Sequence, residues 1–182
     1  MRRDGLQVRV LEEGHERLQS VLSGFPCAPF GAIINDRMVS ELQAVIEELG
    51  GEAVLGRPLR SGADLLAAIR EGFPQPVVQE VMHGAGITLK ELASSLDLSA
   101  RSLQRRRREG RLAGYESDRL YRLARIVALA KRYIGNEETA TRWLKRTNRA
   151  LGGATPLESI DTELGARAVE DVLGRIAYGG VS

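Results

Sequence analysis

Apolar residues recur along this chain at intervals of three and four, and the alternating patterns typical of strands are almost absent. Residues 36–49 carry a long apolar stripe that the pair Gly50-Gly51 ends. A shorter stripe over residues 64–70 and a further helix after Pro76 follow the same period. The pattern predicts an all-α fold, or one close to it.

The first 35 residues are interrupted repeatedly by glycine and proline. We expect a short helix at about residues 16–22, followed by an irregular connector. Together with the helix at 36–49, these residues form an N-terminal extension, residues 1–50, to which the sequence assigns no role.

Residues 88–110 are punctuated as two short helices joined by a tight turn. Thr88 and Glu91 have the spacing of a capping box, in which each side chain binds a free amide at the start of a helix. Asp97 marks the turn, and Ser99 caps a second helix that ends at Gly110. This order of elements is typical of a DNA-reading helix-turn-helix.

The apolar positions fit the packing that this motif requires. Ala93 is small, as the close approach of two helices demands, and Asp97 can adopt the turn angles for which glycine is common. The residues predicted to be buried are Leu89, Leu92, Ala93, Leu96, Leu98 and Leu103.

The second helix presents an almost continuous set of hydrogen-bond donors opposite Leu103. Arginine pairs with guanine edges and glutamine with adenine edges, whereas arginine also binds phosphate in any sequence. We assign Arg101, Ser102, Gln104 and Arg105 to base edges, Arg106, Arg107, Arg108 and Arg111 to the phosphate backbone, and Thr88, Lys90 and Ser99 to the same DNA surface. The alternative is a solvated basic helix that contacts an acidic protein.

The net charge of +2 conceals a strong asymmetry along the chain. Residues 86–111 carry +4 and residues 112–151 carry +5, whereas residues 1–85 carry −4 and residues 152–182 carry −3. A polyanion would be attracted to the middle alone, so we expect a different partner at the acidic C-terminal end. The alternative is that these charges only solvate the helices.

The region after the basic segment is also helical. A long helix carries an apolar stripe over residues 120–134, and a shorter one surrounds Trp143. A second capping box begins at Thr155, and a last helix runs to the glycine pair at 179–180. The apolar stripe of this last helix consists of Val169, Val172, Leu173 and Ile176.

The sequence offers little for catalysis or metal binding. His15, His83 and the single Cys27 are isolated, and no carboxylate pair or phosphate-binding glycine loop is recognisable. We therefore expect no enzyme activity, no cofactor and no metal. No apolar stretch approaches the roughly 20 residues that span a bilayer, and residues 1–4 lead into polar sequence, so we expect a cytoplasmic protein without membrane contact.

Several segments of the chain resemble the Xre/MbcA/ParS-type antitoxins, from about Gly51 to the C-terminus. Thr147 stands where that family often has proline, and residues 1–37 look like an addition. The segments that carry the resemblance are LSARSLQRR at 98–106, ESDRL at 116–120, ATRWL at 140–144, NRALGG at 148–153, TPLE at 155–158, DTELGA at 161–166 and VEDVLGRI at 169–176.

The resemblance implies two domains and two partners. A helix-turn-helix domain, residues 51–134, would repress the protein's own promoter as a homodimer on double-stranded operator DNA. A small helical domain, residues 135–182, would bind and block a RES-domain toxin, which is similar to ADP-ribosyltransferases and depletes NAD. The toxin-binding residues would be Trp143, Asn148, Leu157, Glu163, Glu170, Asp171, Arg175, Tyr178, Gly179 and Gly180.

Two alternatives stay open for the C-terminal domain. In the first, the protein is a helix-turn-helix transcriptional regulator whose C-terminal domain serves only for dimerisation. In the second, the apolar stripe of the last helix is the core of its own domain and does not contact a toxin. The acidic Glu163, Glu170 and Asp171 favour a partner, since they would suit a basic nucleotide pocket.

Overall fold

The computed structural model describes residues 30–179, and within this range the chain is all-α, as predicted. The ten α-helices of this range are α1 (Phe30–Glu48), α2 (Gly51–Leu55), α3 (Gly62–Glu71), α4 (Val77–Ala85), α5 (Leu89–Ser95), α6 (Ala100–Glu109), α7 (Gly114–Ile134), α8 (Glu137–Leu144), α9 (Pro156–Ser159) and α10 (Glu163–Tyr178). A 3₁₀ turn at Arg149–Leu151 lies between α8 and α9. Residues from Val39 onward form one compact unit.

The helix starts follow signals that are visible in the sequence. The Glu91 amide donates to the Thr88 hydroxyl oxygen at 3.3 Å, and the Thr88 amide donates to the Glu91 carboxylate at 2.7 Å. Thr155 and Glu158 repeat this arrangement at the start of α9. Both predicted capping boxes are therefore confirmed.

Helix α1 is longer than the apolar stripe predicts. The irregular connector is expected to reach residue 35, whereas α1 begins at Phe30. Since no glycine or proline interrupts the chain between Gly31 and Gly50, the backbone of this stretch can continue the helix toward its N-terminus. The short helix expected at residues 16–22 lies outside the described residues.

Helix α7 lies at the centre of the compact unit. α3 and α4 pack on it from the N-terminal side of the sequence, and α8 and α10 pack on it from the C-terminal side. One continuous core therefore joins the helix-turn-helix to the C-terminal region, and the predicted boundary at residue 134 falls between two helices that share this core. The buried apolar residues of α7 are Leu120, Leu123, Ala124, Ile126, Val127, Ala128 and Ala130.

Two apolar residues predicted to be buried in the helix-turn-helix and the last helix are exposed. Leu89 is the first residue of α5 and is 38% exposed, and Ile176 lies in the last turn of α10 and is 46% exposed. In a terminal turn the helical period continues, but fewer neighbouring elements cover the side chain. Most of the remaining stripe residues are buried, namely Leu92, Ala93, Leu96, Leu103, Val169, Val172 and Leu173.

A short cross-connection ties the end of α3 to the chain after α6. The Gln75 amide donates to the Gly110 carbonyl at 3.0 Å, and the Leu112 amide donates to the Phe73 carbonyl at 2.9 Å. Gly72 permits this close approach: its φ is +91°, and a Cβ atom there would lie 2.0 Å from the Leu112 carbonyl oxygen. The C-terminal end of α6 is thereby fixed to the body of the protein.

Gly72→Ala should therefore lower the thermal stability. The strained φ alone costs about 1–3 kcal/mol, and the added methyl group would overlap the Leu112 carbonyl. Gly62→Ala is the matched control, because no atom lies within 4 Å of a Cβ at that position. Thermal unfolding followed by circular dichroism measures both variants. Equal melting temperatures for Gly72→Ala and the parent would contradict the role of this contact.

Candidate nucleic-acid interface and C-terminal surface

Helices α5 and α6 form the predicted helix-turn-helix. They pack on each other, and the turn between them holds Asp97 at φ 47°, in the left-handed region. Within residues 30–179, Asp97 is the only non-glycine residue with positive φ. Ala93 of α5 and Leu103 of α6 are both buried. The turn of the motif and the burial of Ala93 and Leu103 are therefore those that the sequence predicts, whereas Leu98 is only half-buried.

The outer face of α6 is basic. The exposed side chains of this face are those of Arg101, Gln104, Arg105, Arg107 and Arg108. Arg105 makes an ion pair with Glu109 at 3.5 Å, which is weak because both groups are in solvent. The Ser99 hydroxyl oxygen accepts from the Ser102 amide at 3.0 Å and lies 2.8 Å from the half-buried Ser102 hydroxyl. Capping of α6 thus occupies Ser99, while the arginine and glutamine heads face solvent.

Arg106 differs from the other arginines of α6. It follows the buried Leu103 by three residues, and so it lies on the inward side of the helix. Its Nε donates to the Glu116 carboxylate at 2.7 Å, and a terminal nitrogen pairs with Glu109. Only 17% of its side chain is exposed, against 58% for Arg105. The guanidinium that the sequence assigns to phosphate thus has two intramolecular partners in this structure.

A second contact from α7 holds the turn of the motif. The Arg119 guanidinium donates to the carbonyls of Leu96 and Asp97 at 2.6 and 2.8 Å, where the end of α5 leaves acceptors without helical partners. Neither Arg119 nor Glu116 is among the predicted site residues. A local sequence signal existed for Glu116, because it follows Ala113 by three residues, which is the spacing of a capping box. In the structure its carboxylate accepts from the Ala113 amide at 2.7 Å. Arg119 had no such signal, since its partners lie on another element.

The remaining predicted DNA contacts lie outside α6. Arg111 is exposed, although its Nε also donates to the Gly72 carbonyl at 3.0 Å. Lys90 is exposed in the first turn of α5. The Thr88 hydroxyl donates to the Glu91 carboxylate at 2.8 Å and is occupied by the capping box. Arg111 and Lys90 therefore present charge to solvent, and Thr88 shapes the start of α5.

A charged contact joins the start of α5 to the end of α8. Lys145 Nζ lies 3.0 Å from one oxygen of Glu91, and the other oxygen accepts from Thr88. Hydrogen bonds from the Thr88 amide and then from Lys145 lower the pKa of Glu91 from 4.5 to about 2. Gly86 is so close to Thr141 that a Cβ would lie 2.6 Å from its methyl group. The helix-turn-helix is thus held at its start by a helix of the C-terminal region.

Three predicted toxin-binding residues contribute to the fold of the C-terminal region. Leu157 is buried in the core, and Trp143 is half-buried and packs against that core. The Asn148 side-chain oxygen accepts from the Ala150 amide at 2.9 Å and so caps the 3₁₀ turn. For Leu157, as for most of the α10 stripe, the structure agrees with the alternative that these residues form the core.

The acidic residues of α10 lie in different surroundings. Glu170 is expected to project outward with Asp171, but its carboxylate lies 2.5 Å from the Arg125 guanidinium of α7. Burial raises the pKa of Glu170, and the positive charge of Arg125 opposes that rise. Glu163 is exposed and pairs with Arg167 at 3.1 Å. Glu170 therefore joins α10 to α7, whereas Asp171 is exposed to solvent.

One face of α10 is exposed over the length of the helix, and we name it the α10 face. Leu164 at one end is 80% exposed and Tyr178 at the other is 64% exposed, so the face ends in two large apolar side chains. Gly179 follows it and is exposed, and Gly180 lies outside the described residues. The α10 face consists of Leu164, Ala168, Asp171, Arg175 and Tyr178.

A basic, exposed second helix joined through one core to a helical C-terminal region defines a helix-turn-helix protein with an added domain. Comparison with family models agrees. The antitoxin Xre-like helix-turn-helix domain matches residues 64–125. The antitoxin Xre/MbcA/ParS C-terminal toxin-binding domain matches residues 129–179. Helix α7 contributes residues to both matched segments.

Three curated relatives are all named Antitoxin Xre. The proteins called Antitoxin Xre from Photorhabdus laumondii and Yersinia enterocolitica are 33% and 32% identical to this chain, over 70% and 69% of its length and 88% and 86% of theirs. Antitoxin Xre from Pseudomonas putida is 32% identical over 70% of this chain and 80% of its own. The chain belongs to the Xre antitoxin family.

Membership of this family points to a regulator that is not an enzyme. Among residues 30–179, no helix combines the length and apolar content needed to cross a membrane, and no three potential metal-binding side chains gather there. His83 is exposed near the end of α4, and His15 and Cys27 lie outside the described residues.

The contact between Glu91, Thr88 and Lys145 should make stability depend on pH. The folded state lowers the pKa of Glu91 from 4.5 to about 2, so the stabilisation is present above pH 4.5 and is lost as the pH falls toward 2. Glu91→Gln should therefore show a shallower loss of melting temperature than the parent over this range. Thermal unfolding at steps of pH measures the difference.

Glu52→Gln is the matched control, because Glu52 is exposed in the first turn of α2. Its melting temperature should follow that of the parent throughout the acid range. Parallel curves for the parent and Glu91→Gln would show that this carboxylate does not stabilise the junction between α5 and α8.

Proposed function

We propose that this protein is an antitoxin that blocks a cognate toxin through its C-terminal region and represses its own operon through α5 and α6. One observation carries the proposal: the exposed basic helix α6 packs on α5, and α5 and α10 contribute to a single core, within segments matched by a helix-turn-helix domain and a toxin-binding domain. DNA and toxin can therefore be held at separate surfaces of one chain.

For DNA binding, we propose that α6 enters the major groove. Its arginine and glutamine heads match the donor and acceptor pattern of base edges, and the flanking basic groups would release counterions from any duplex. A homodimer would present two copies of α6 to half-sites about one helical turn apart. The proposed base contacts are Arg101, Ser102, Gln104 and Arg105, and the proposed phosphate contacts are Lys90, Arg107, Arg108 and Arg111.

For the toxin, we propose a RES-domain protein that depletes NAD, encoded beside this chain and neutralised in the cytoplasm. The family resemblance supports this class of toxin, and the α10 face supplies a surface for it. Leu164 and Tyr178 offer apolar anchors, and Asp171 and Arg175 lie between them. The exposed Glu163 and Asp171 would suit a basic nucleotide pocket.

Replacing Arg101 and Arg105 together by alanine should abolish sequence-specific binding to the DNA upstream of the gene. Each lost base contact costs about 1–3 kcal/mol, and both side chains are exposed, so the fold should persist. Fluorescence anisotropy with an upstream duplex and a scrambled duplex, at equal salt, measures the change.

The matched control is Arg142→Ala with Arg167→Ala, which removes the same charge from exposed positions of the C-terminal region. This control should bind the upstream duplex as the parent does, because neither side chain belongs to α6. Parent-like affinity of the Arg101 and Arg105 variant would reject the assigned reading face.

Exchanging the charges on the α10 face tests the toxin surface. Asp171→Arg with Arg175→Asp keeps the net charge and the helical spacing, but it would bring like charges together across a complementary interface. Co-expression with the neighbouring toxin should then arrest growth, while operator affinity and melting temperature stay at the parent's values.

Glu138→Arg with Arg142→Glu is the matched exchange on α8, where the two side chains are also exposed and four residues apart. It should still neutralise the toxin. Survival of cells that carry the α10 exchange would remove this face from the toxin interface. If the parent chain neither neutralises nor binds the product of the neighbouring gene, the protein is instead a regulator whose C-terminal region serves for dimerisation.

A further inference from the structure

Glu116 is a carboxylate with 0% of its surface exposed, in the first turn of α7. One oxygen accepts from Arg106 Nε and from the Ala113 amide, both at 2.7 Å. The other oxygen accepts from the Tyr115 hydroxyl at 3.2 Å. A buried carboxylate with these partners is confined to one place, because moving it would break several charge-assisted bonds away from water.

Arg106 connects this confined group to the proposed reading helix. It belongs to a run of four arginines, of which the other three are exposed. Hydrogen bonds to Glu116 and then to Glu109 raise the pKa of Arg106 above its ordinary value. The side chain is therefore held to the body of the protein, although its neighbours in sequence face solvent.

Between its ends, helix α6 has few other attachments, although the chain just after the helix is held at Gly110 and Leu112. Leu103 is the single buried residue between residues 101 and 109. One apolar anchor fixes a helix against separation, but it leaves rotation about the contact largely free because apolar packing is not directional. An ion pair one turn further along the same side removes that freedom, since its geometry is satisfied in one orientation only.

We propose that Arg106 and Glu116 are positioning residues for DNA recognition: their ion pair sets the angle of α6 and does not itself touch DNA. Arg119, one turn after Glu116, holds the carbonyls of the turn before α6. Both ends of the turn-to-helix segment are thus fixed from the start of α7. This inference rests on the proposed DNA-binding function and adds to it a pair outside the reading face.

The two possible roles of Arg106 predict opposite results for Glu116→Gln. An arginine that contacts phosphate would lose a competing partner, so affinity for every duplex would stay equal or rise. A positioning pair would lose its charge, α6 would no longer be held at one angle, and the ratio of operator to scrambled-duplex affinity should fall about tenfold or more. Affinity for the scrambled duplex should remain near the parent's.

Arg106→Lys separates charge from geometry in the same assay. Lysine keeps the positive charge but cannot reproduce the directed contact of the guanidinium with Glu116. The ratio of affinities should fall as in Glu116→Gln, and the salt dependence of binding should not change. An unchanged ratio would overturn the proposal, because a lysine at this position could still neutralise a phosphate and no orienting contact would have been lost.

Glu109→Gln is the matched control, because it removes the exposed partner of Arg106 and leaves Glu116 in place. This variant should keep the parent's ratio of operator affinity to scrambled-duplex affinity. All variants are measured as the full chain, with toxin neutralisation and melting temperature as readouts of folding. If Glu116→Gln does not fold, the Arg106→Lys variant tests the positioning role instead. This variant should fold, because the buried Glu116 keeps a positively charged partner.

The parent chain shows whether DNA binding itself or only the positioning role of the pair fails. A parent that does not distinguish the upstream duplex from the scrambled one overturns the proposed DNA-binding function and this inference with it. A parent that distinguishes them, together with a Glu116→Gln variant that distinguishes them equally well, overturns the positioning role alone.

Discussion

Helix α7 is covered by two halves of the molecule at once, and most of the structure follows from this constraint. α3 and α4 cover it from one side of the sequence and α8 and α10 from the other. Between Leu120 and Ala130 its residues are therefore mostly apolar and buried, as in a helix that is enclosed rather than laid on a surface. The helix-turn-helix and the C-terminal region consequently share one core.

Ion pairs give this shared core its orientation. Apolar packing tolerates small rotations because it is not directional, whereas a buried or half-buried ion pair is satisfied in one arrangement. The pair between Arg106 and Glu116 joins α6 to α7, and the pair between Arg125 and Glu170 joins α10 to α7. One helix thus orients both the proposed DNA-reading helix and the helix that bears the proposed toxin surface.

The sequence was sufficient for several features that depend on residues a few positions apart. The caps at Thr88 and Ser99 and the turn at Asp97 are of this kind. The inward direction of Arg106 and the pairing of Glu170 depend instead on residues of another helix, which helical periodicity does not identify. The α10 face could likewise be recognised only once the side that packs on α7 was known.

Hydrogen exchange of the full chain, alone and with each ligand, tests most directly whether one core presents two separate binding surfaces. Operator DNA should slow the exchange of backbone amides within residues 88–111 and leave residues 163–179 unchanged. The toxin should slow exchange within residues 163–179. Protection of the same segment by both ligands, or no protection of residues 88–111 by operator DNA, would contradict this account.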